Sequence, residues 1–112
     1  MIDSYSFGNI VVDGEGYSSD LKIFPEKIID DWWRREGHKI HPEDIEEILE
    51  FSPEVLIIGT GAYGRVEVPK KTVHILKEQG IETIAKNTEE ACQKYNEICN
   101  EKEVVAALHL TC

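Results

Sequence analysis

The sequence predicts a mixed chain of α/β (α+β) class: one compact domain over residues 1–112 with a three-layer β/β/α architecture. Three observations carry this. Residues 1–35 are short apolar stretches broken by glycine and proline, with no helical period. From His41 onward the period changes, and the second half runs strand, helix, strand, helix, strand, which implies right-handed parallel crossovers. The apolar runs of that half are continuous rather than alternating, as in strands covered on both faces. The expected arrangement is a mixed sheet with parallel strand–helix–strand units from the C-terminal half. Helices lie on one face and a β-hairpin layer from the N-terminal half lies on the other.

Taken in order, Ser6-Phe7-Gly8-Asn9-Ile10-Val11-Val12 predicts one short strand ended by the Asp13-Gly14-Glu15-Gly16 turn signature. Leu21-Lys22-Ile23-Phe24 predicts a second strand, stopped at Pro25, and Ile28 to Trp33 a third, favoured by β-branched and aromatic content. His41 to Glu50 predicts a helix, with Pro42 at a first helical position, acids in the first turn, and Ile45, Ile48 and Leu49 on one face. Val55-Leu56-Ile57-Ile58 predicts a buried strand, and Arg65-Val66-Glu67-Val68 an alternating one ended by Pro69. Lys70 to Gln79 predicts a helix with Val73, Leu76 and Ile75 inward, closed by Gly80. Ile81 to Ala85 predicts a strand. Asn87 or Thr88 then caps a helix whose Ala91, Cys92, Tyr95, Ile98 and Cys99 share one arc. Val104 to Leu110 predicts a last buried strand, either central or at an edge where it would pair with another subunit.

Bulk composition excludes several functions. With 41% hydrophobic and 30% charged residues in 112, the chain is globular and long enough to build a core without staples. Its 12 Lys+Arg against 22 Asp+Glu leave a net charge of -10, which repels phosphate backbones and anionic lipid surfaces. Neither nucleic acid nor membrane is expected as a partner. The longest strongly apolar stretch, Val55 to Tyr63, is far short of a span. Three cysteines without a CxxC argue for a reducing compartment. The opening Met1-Ile2-Asp3-Ser4-Tyr5 has no basic or apolar leader, so a cytoplasmic location is expected.

One stretch resembles a chemical motif. Gly59-Thr60-Gly61-Ala62-Tyr63-Gly64 matches G-x-G-x-x-G and follows a strand. A dinucleotide site requires a helix to start there and an acid at the end of the next strand. Here Arg65 to Pro69 intervene and the next strand ends Ala85-Lys86-Asn87, so no cofactor is expected. The glycines are expected to serve a sharp turn at the sheet's C-terminal edge. Should the turn instead cradle a small anion, Thr60, Gly61, Arg65 and Thr88 would line it, with Cys92 and Tyr95 nearby. No catalytic residue is assigned. His38, His41, Glu43 and Asp44 fit no zinc spacing, so no metal is expected. Cys92 and Cys99 stand about 10 Å apart along a helix axis and cannot pair. Burial is the expected role for both, although the first helical turn would stabilise a Cys92 thiolate. In a strand, Trp32-Trp33 would put one indole inward and one outward, the outer one suggesting a partner surface; the equal alternative is that the hairpin and neighbouring loops cover both. Ten acids and four bases between Glu26 and Glu54 make that region a solvated acidic face.

Three segments together resemble a known family. They are Trp32-Trp33 followed by Gly37-His38, the Pro53-to-Gly61 strand and turn, and Thr88-Glu89-Glu90-Ala91-Cys92-Gln93-Lys94-Tyr95-Asn96 followed by Val104 to Leu108. They resemble the small-domain family of largely unknown function that includes a vertebrate adipogenesis-associated cytoplasmic protein and mitochondrial complex I assembly factor three. The resemblance implies a three-layer β/β/α fold and supplies no reaction. It also implies an arginine before the last strand, where Glu101-Lys102-Glu103 stands here. The expected function is therefore a non-enzymatic binding or assembly protein, with another protein as partner. The alternative is a small-anion binder or weak enzyme at the Gly59–Gly64 turn. A homo-oligomer is compatible with either.

Overall fold

The computed structural model describes residues 1–112. Strands β1 (Ile2–Ser6), β2 (Asn9–Val12) and β3 (Glu15–Tyr17) form a three-stranded antiparallel sheet. A second sheet of five strands has the order β5-β4-β8-β6-β7, with β4 Leu21–Ile23, β5 Ile28–Ile29, β6 Val55–Thr60, β7 Glu82–Lys86 and β8 Val104–His109. A 3₁₀ turn over Pro42–Ile45 leads into α1 (Glu46–Phe51). Helix α2 (Lys70–Glu78) links β6 to β7, and α3 (Thr88–Ile98) links β7 to β8. The mixed sheet and its parallel strand–helix–strand units match the sequence expectation: β6 pairs parallel with both β7 and β8, while β4 runs antiparallel to β8.

The helix placement differs from expectation, and topology explains it. The chain steps outward from β6 to β7, then back across β6 to β8. Right-handed crossovers taken in opposite directions put their helices on opposite faces. Leu76 of α2 accordingly packs with Leu56, Ile58, Ile45 and Ile48, whereas Ala91, Cys92 and Tyr95 of α3 pack with Val55, Ile57 and the small sheet's Ile2, Ile10 and Val12. The small sheet thus shares its face with α3, and α1 and α2 cover the other. Each of Val55 to Ile58 is at most 1% exposed, because β6 is roofed on both sides. β8 is likewise central, which settles the position of the last strand.

Five local expectations are corrected. The segment 6–12 is not one strand. It folds back at Phe7-Gly8, with Gly8 at φ 81°, and the register closes Ser6 onto Asn9. The following turn is only Asp13-Gly14; both residues have positive φ, as a two-residue type I′ hairpin requires, so Glu15 and Gly16 belong to β3. The third predicted strand stops at Ile29. Asp31 has φ 55°, and Trp32 turns inward to donate its indole N–H to the Asp44 carbonyl at 2.9 Å. Arg65 to Val68 makes a single bridge, Lys39 to Glu67, because its partner segment leaves at Ile40 for the 3₁₀ turn. On α2, Thr72 and Leu76 are the buried residues and Val73 is exposed. The expected α3 cap is confirmed as Asn87, whose side-chain oxygen accepts the Glu90 amide at 3.0 Å.

One buried charge ties β4 to α1. Lys22 is only 3% exposed, and its Nζ donates to Glu47 Oε1 at 2.6 Å. The pair holds the Glu47 carboxyl below its ordinary range, with burial working against that. Glu47 is half exposed, so water replaces part of what is lost on its removal. Glu47→Ala is expected to cost about 1 kcal/mol. Lys22→Met, which removes the charge and keeps the stem, is expected to be neutral or stabilising. Urea titrations of both variants check the order.

Candidate functional site

The C-terminal ends of β6 and β8 lie side by side, with Thr60 opposite His109. Around them the fold assembles a polar cluster from three distant points of the chain. Asp20, just before β4, places Oδ2 2.6 Å from His109 Nδ1 and accepts Arg34 NH1 at 2.9 Å on the same oxygen. Its other oxygen accepts the Leu110 amide at 2.8 Å. Arg34 also donates Nε and NH2 to the Gly37 carbonyl, and its guanidinium stacks 4.7 Å over the Trp32 ring. Arg34 and His109 are both buried. His109 Nδ1 thus stands between two partners, Asp20 Oδ2 at 2.6 Å, which can only accept, and Arg34 NH2 at 3.0 Å, which can only donate, and Nε2 faces the Thr111 hydroxyl at 3.4 Å. Burial works to raise the Asp20 pKa, but the His109 and Leu110 hydrogen bonds and Arg34 outweigh it and hold the carboxyl below its usual range. Sequence reasoning missed this cluster. Its one local signal was a histidine ending the apolar run Val104 to Leu108.

Of the predicted site residues, Thr60, Gly61 and Thr88 come together beside this cluster. Thr88 is fully buried at the start of α3. Its hydroxyl accepts the Gly61 amide at 2.9 Å and donates to the His109 carbonyl. Thr60 Oγ1 donates to the Lys86 carbonyl at 2.9 Å. The amides of Ala62 and Gly64 go to the carbonyls of Thr111 and Gly61. The amides of Gly61, Ala62 and Gly64 are therefore committed within the fold, and the Gly-Thr-Gly sequence acts as a lock joining β6, α3 and the C-terminal segment. No helix starts at Gly64, and α2 begins only at Lys70, so the dinucleotide arrangement is not formed.

The other three are elsewhere. Arg65 is exposed. Cys92 and Tyr95 lie one and two turns down α3 in the core beneath the small sheet. Burial pushes the Cys92 thiol up to about 12, which overrides any helix-terminal stabilisation of a thiolate. Burial also pushes the Tyr95 hydroxyl up to about 12. Tyr95 and Cys99 floor a groove of about 620 Å³ between the small sheet and the β4–β5 hairpin.

A second surface is built around Trp33. Its neighbour Trp32 is buried, while Trp33 is 79% exposed. The two indoles thus point in opposite directions, through the break at Asp31 rather than through strand alternation. Beside Trp33 runs a groove of about 390 Å³ between β5 and α1, lined by Asp31, Glu43, Asp44, Glu46, Glu47 and Glu50. Lys22 answers Glu47 and Arg35 answers Glu43 at 2.9 Å, whereas Asp31, Glu46 and Glu50 have no cation in ion-pair range.

Residues 2–109 match the model of a family described as "Protein of unknown function (DUF498/DUF598)". The chain belongs to this family. It is 26% identical over 110 residues to the human protein named "NADH dehydrogenase [ubiquinone] 1 alpha subcomplex assembly factor 3", and equally to the bovine one. That match covers 95% of this chain and 58% of each relative, so the chain spans little more than half their length. Among solved structures it is similar to a conserved hypothetical protein from Pyrococcus horikoshii, with TM-score 0.85 and 29% identity, covering 100% of this chain and 99% of the other. It is also similar to a Bartonella henselae protein described as an outer membrane protein, with TM-score 0.83 and 26% identity, covering 98% and 93%. The family resemblance read from the sequence agrees with these matches. In this family member, no helix is long and apolar enough to cross a membrane.

Proposed function

We propose that this family member is a non-enzymatic binding or assembly domain that docks another protein through Trp33 and the acidic groove beside α1. The observation that carries the reading is Trp33. An indole left 79% in water makes no contribution to the core, whereas one covered by a partner buries about 150–250 Å² of contact surface. Tryptophan is also among the residues that dominate interface energies. The unpaired Asp31, Glu46 and Glu50 favour a cationic segment on the partner, through charge complementarity and cation–π contact with the indole. The assembly role named for the human and bovine relatives supports a protein as the target.

Affinity capture with wild type and Trp33→Ala, both checked for thermal stability, tests this. Because Trp33 is exposed, the variant is expected to keep its stability within about 0.5 kcal/mol. It is expected to bind its partner roughly 30-fold more weakly, the loss of about 2 kcal/mol typical of an interface anchor. Unchanged capture by the variant overturns the docking surface. Turnover of a substrate by the purified wild type near 1 s⁻¹ overturns the non-enzymatic reading.

A further inference from the structure

β7 is the free edge of the five-stranded sheet and pairs only with β6. Such an edge presents unpaired backbone donors and acceptors, and monomeric proteins blunt it with proline, bulges or very short strands. The other edges here are blunted. β5 has two residues, β3 has three with a central glycine, and β1 is bulged between Ile2 and Ser4. β7 has no proline, no bulge and five residues, and its charged side chains, Glu82 and Lys86, stand only at its two ends. Its register with β6 is unbroken from Glu82 to Lys86, and it contains neither proline nor positive φ.

Its sequence is also self-complementary. Glu82-Thr83-Ile84-Ala85-Lys86 has opposite charges at its two ends and an isoleucine at its centre. We propose that two copies of this chain pair antiparallel along β7 about a two-fold axis through Ile84, forming a continuous ten-stranded sheet. In that register Glu82 faces Lys86 of the second copy, Lys86 faces its Glu82, and the two Ile84 side chains meet. Cross-strand pairs of both kinds stabilise antiparallel sheets. A slip of two residues in either direction loses both ion pairs, and parallel pairing sets like charge beside like. The two-fold contact uses the same patch on both copies and closes, so it forms dimers rather than fibres.

The monomer leaves these groups available. Glu82, Ile84 and Lys86 alternate to the α3 face, where Ile84 is only half-buried against the core. Glu82 meets a single cation, Lys102, at 3.9 Å, with both side chains about half exposed, a contact of little worth. The α3 surface beside Lys86 carries Glu90, Lys94 and Glu97, so the flanking helices meet with both signs present. The contact is smaller than a standard interface and the net charge of -10 per copy opposes it, so the dimer is weak.

Sedimentation velocity of the full chain from about 10 µM to 1 mM tests the proposal. The expected result is a monomer–dimer equilibrium with a dissociation constant on the order of 100 µM, the weak end of specific association. Lys86→Glu and Glu82→Lys each place like charges opposite one another twice and are expected to weaken it at least about 10-fold. The double exchange Glu82→Lys/Lys86→Glu restores the complementarity and is expected to restore the dimer. Both positions are exposed, and circular dichroism of each variant confirms that it folds. As a second readout, facing Cα atoms at the axis are about 4.5–5.5 Å apart, within disulfide reach. Ile84→Cys, in a background with the three native cysteines replaced by alanine, is therefore expected to cross-link under mild oxidation. A wild type that stays monomeric at 1 mM, or a double exchange that fails to recover association, overturns the proposal.

Discussion

Gly61→Val is expected to cost about 4 kcal/mol, enough to leave the domain at the margin of folding at 37 °C. Gly61 has φ 104°, a conformation that β-branched residues do not adopt without strain. That strain alone is about 1–3 kcal/mol. The added Cβ would also lie 2.6 Å from the Cys112 carbonyl oxygen, 2.9 Å from its carbon and 2.9 Å from His109 Cδ2. Two of these contacts are backbone and cannot swing aside, which adds about 1–3 kcal/mol of overpacking. Relief would pull the C-terminal segment off the turn and break the bond from the Ala62 amide to the Thr111 carbonyl. Gly80→Ala is the control. Its φ is 79°, but nothing lies within 4 Å of the added carbon, so it bears the conformational cost alone, about 1 kcal/mol. Thermal melts of the two variants separate the terms. At roughly 4–8 °C per kcal/mol, Gly61→Val is expected to fall about 15–30 °C and Gly80→Ala about 5 °C. A Gly61→Val midpoint close to that of Gly80→Ala would show that the C-terminal segment yields freely and is not part of the lock.

Asp20→Ala is expected to cost about 3 kcal/mol, for a different reason. The substitution leaves Arg34 NH1, the His109 ring nitrogen and the Leu110 amide without their carboxylate partner in a buried setting. Breaking a buried pair from one side costs about 3–5 kcal/mol, and the residual exposure of Asp20 places it at the lower end. The effect has a pH signature. The Asp20 carboxyl is held below its ordinary range in the folded state, so its contribution is complete above the unfolded value of about 4. It is lost as pH falls through the depressed folded value. The gap in unfolding free energy between wild type and Asp20→Asn is therefore expected to be constant above about pH 5 and to close below about pH 4. Chemical denaturation at a series of pH values measures it. A gap that persists unchanged at pH 2–3 would mean that Asp20 acts through shape rather than charge.

The parts of this fold visible in the sequence are those whose environment is nearly uniform along the chain. Val55 to Ile58 and Val104 to Leu108 are covered on both faces, so each strand is an unbroken apolar run that needs no knowledge of its neighbours. α3 shows its inner face through Ala91, Cys92 and Tyr95 at helical spacing, and its start through the Asn87 cap, a bond spanning three residues. Where the deciding contact is remote, the local pattern misleads. Ile28 to Trp33 has the composition of a strand, yet Trp32 is claimed by the Asp44 carbonyl and the Arg34 guanidinium. Arg65 to Val68 alternates like a strand, yet only one bridge of backbone lies beside it. Val73 and Ile75 are apolar on α2, but the helix is buried along Thr72 and Leu76, because the Thr72 hydroxyl bonds the Ile40 carbonyl at 2.8 Å.

The same distinction divides the candidate sites. The Gly59–Gly64 stretch drew attention through its spacing, but the identity of its amide partners depends on Thr88 and Thr111, brought in by α3 and by the end of the chain. The Asp20, Arg34 and His109 cluster is invisible in one dimension because its members stand 14, 75 and 89 residues apart. By itself, the sequence determined the class of this domain, its parallel C-terminal half, its acidic character and its family, because these follow from periodicity, charge count and local motifs. Only the tertiary structure decided that α3 shares a face with the small sheet, that β7 is the open edge, and that a buried ion network sits behind the glycine turn. Those features arise from the direction in which each crossover returns, a property of the whole chain that no local window contains.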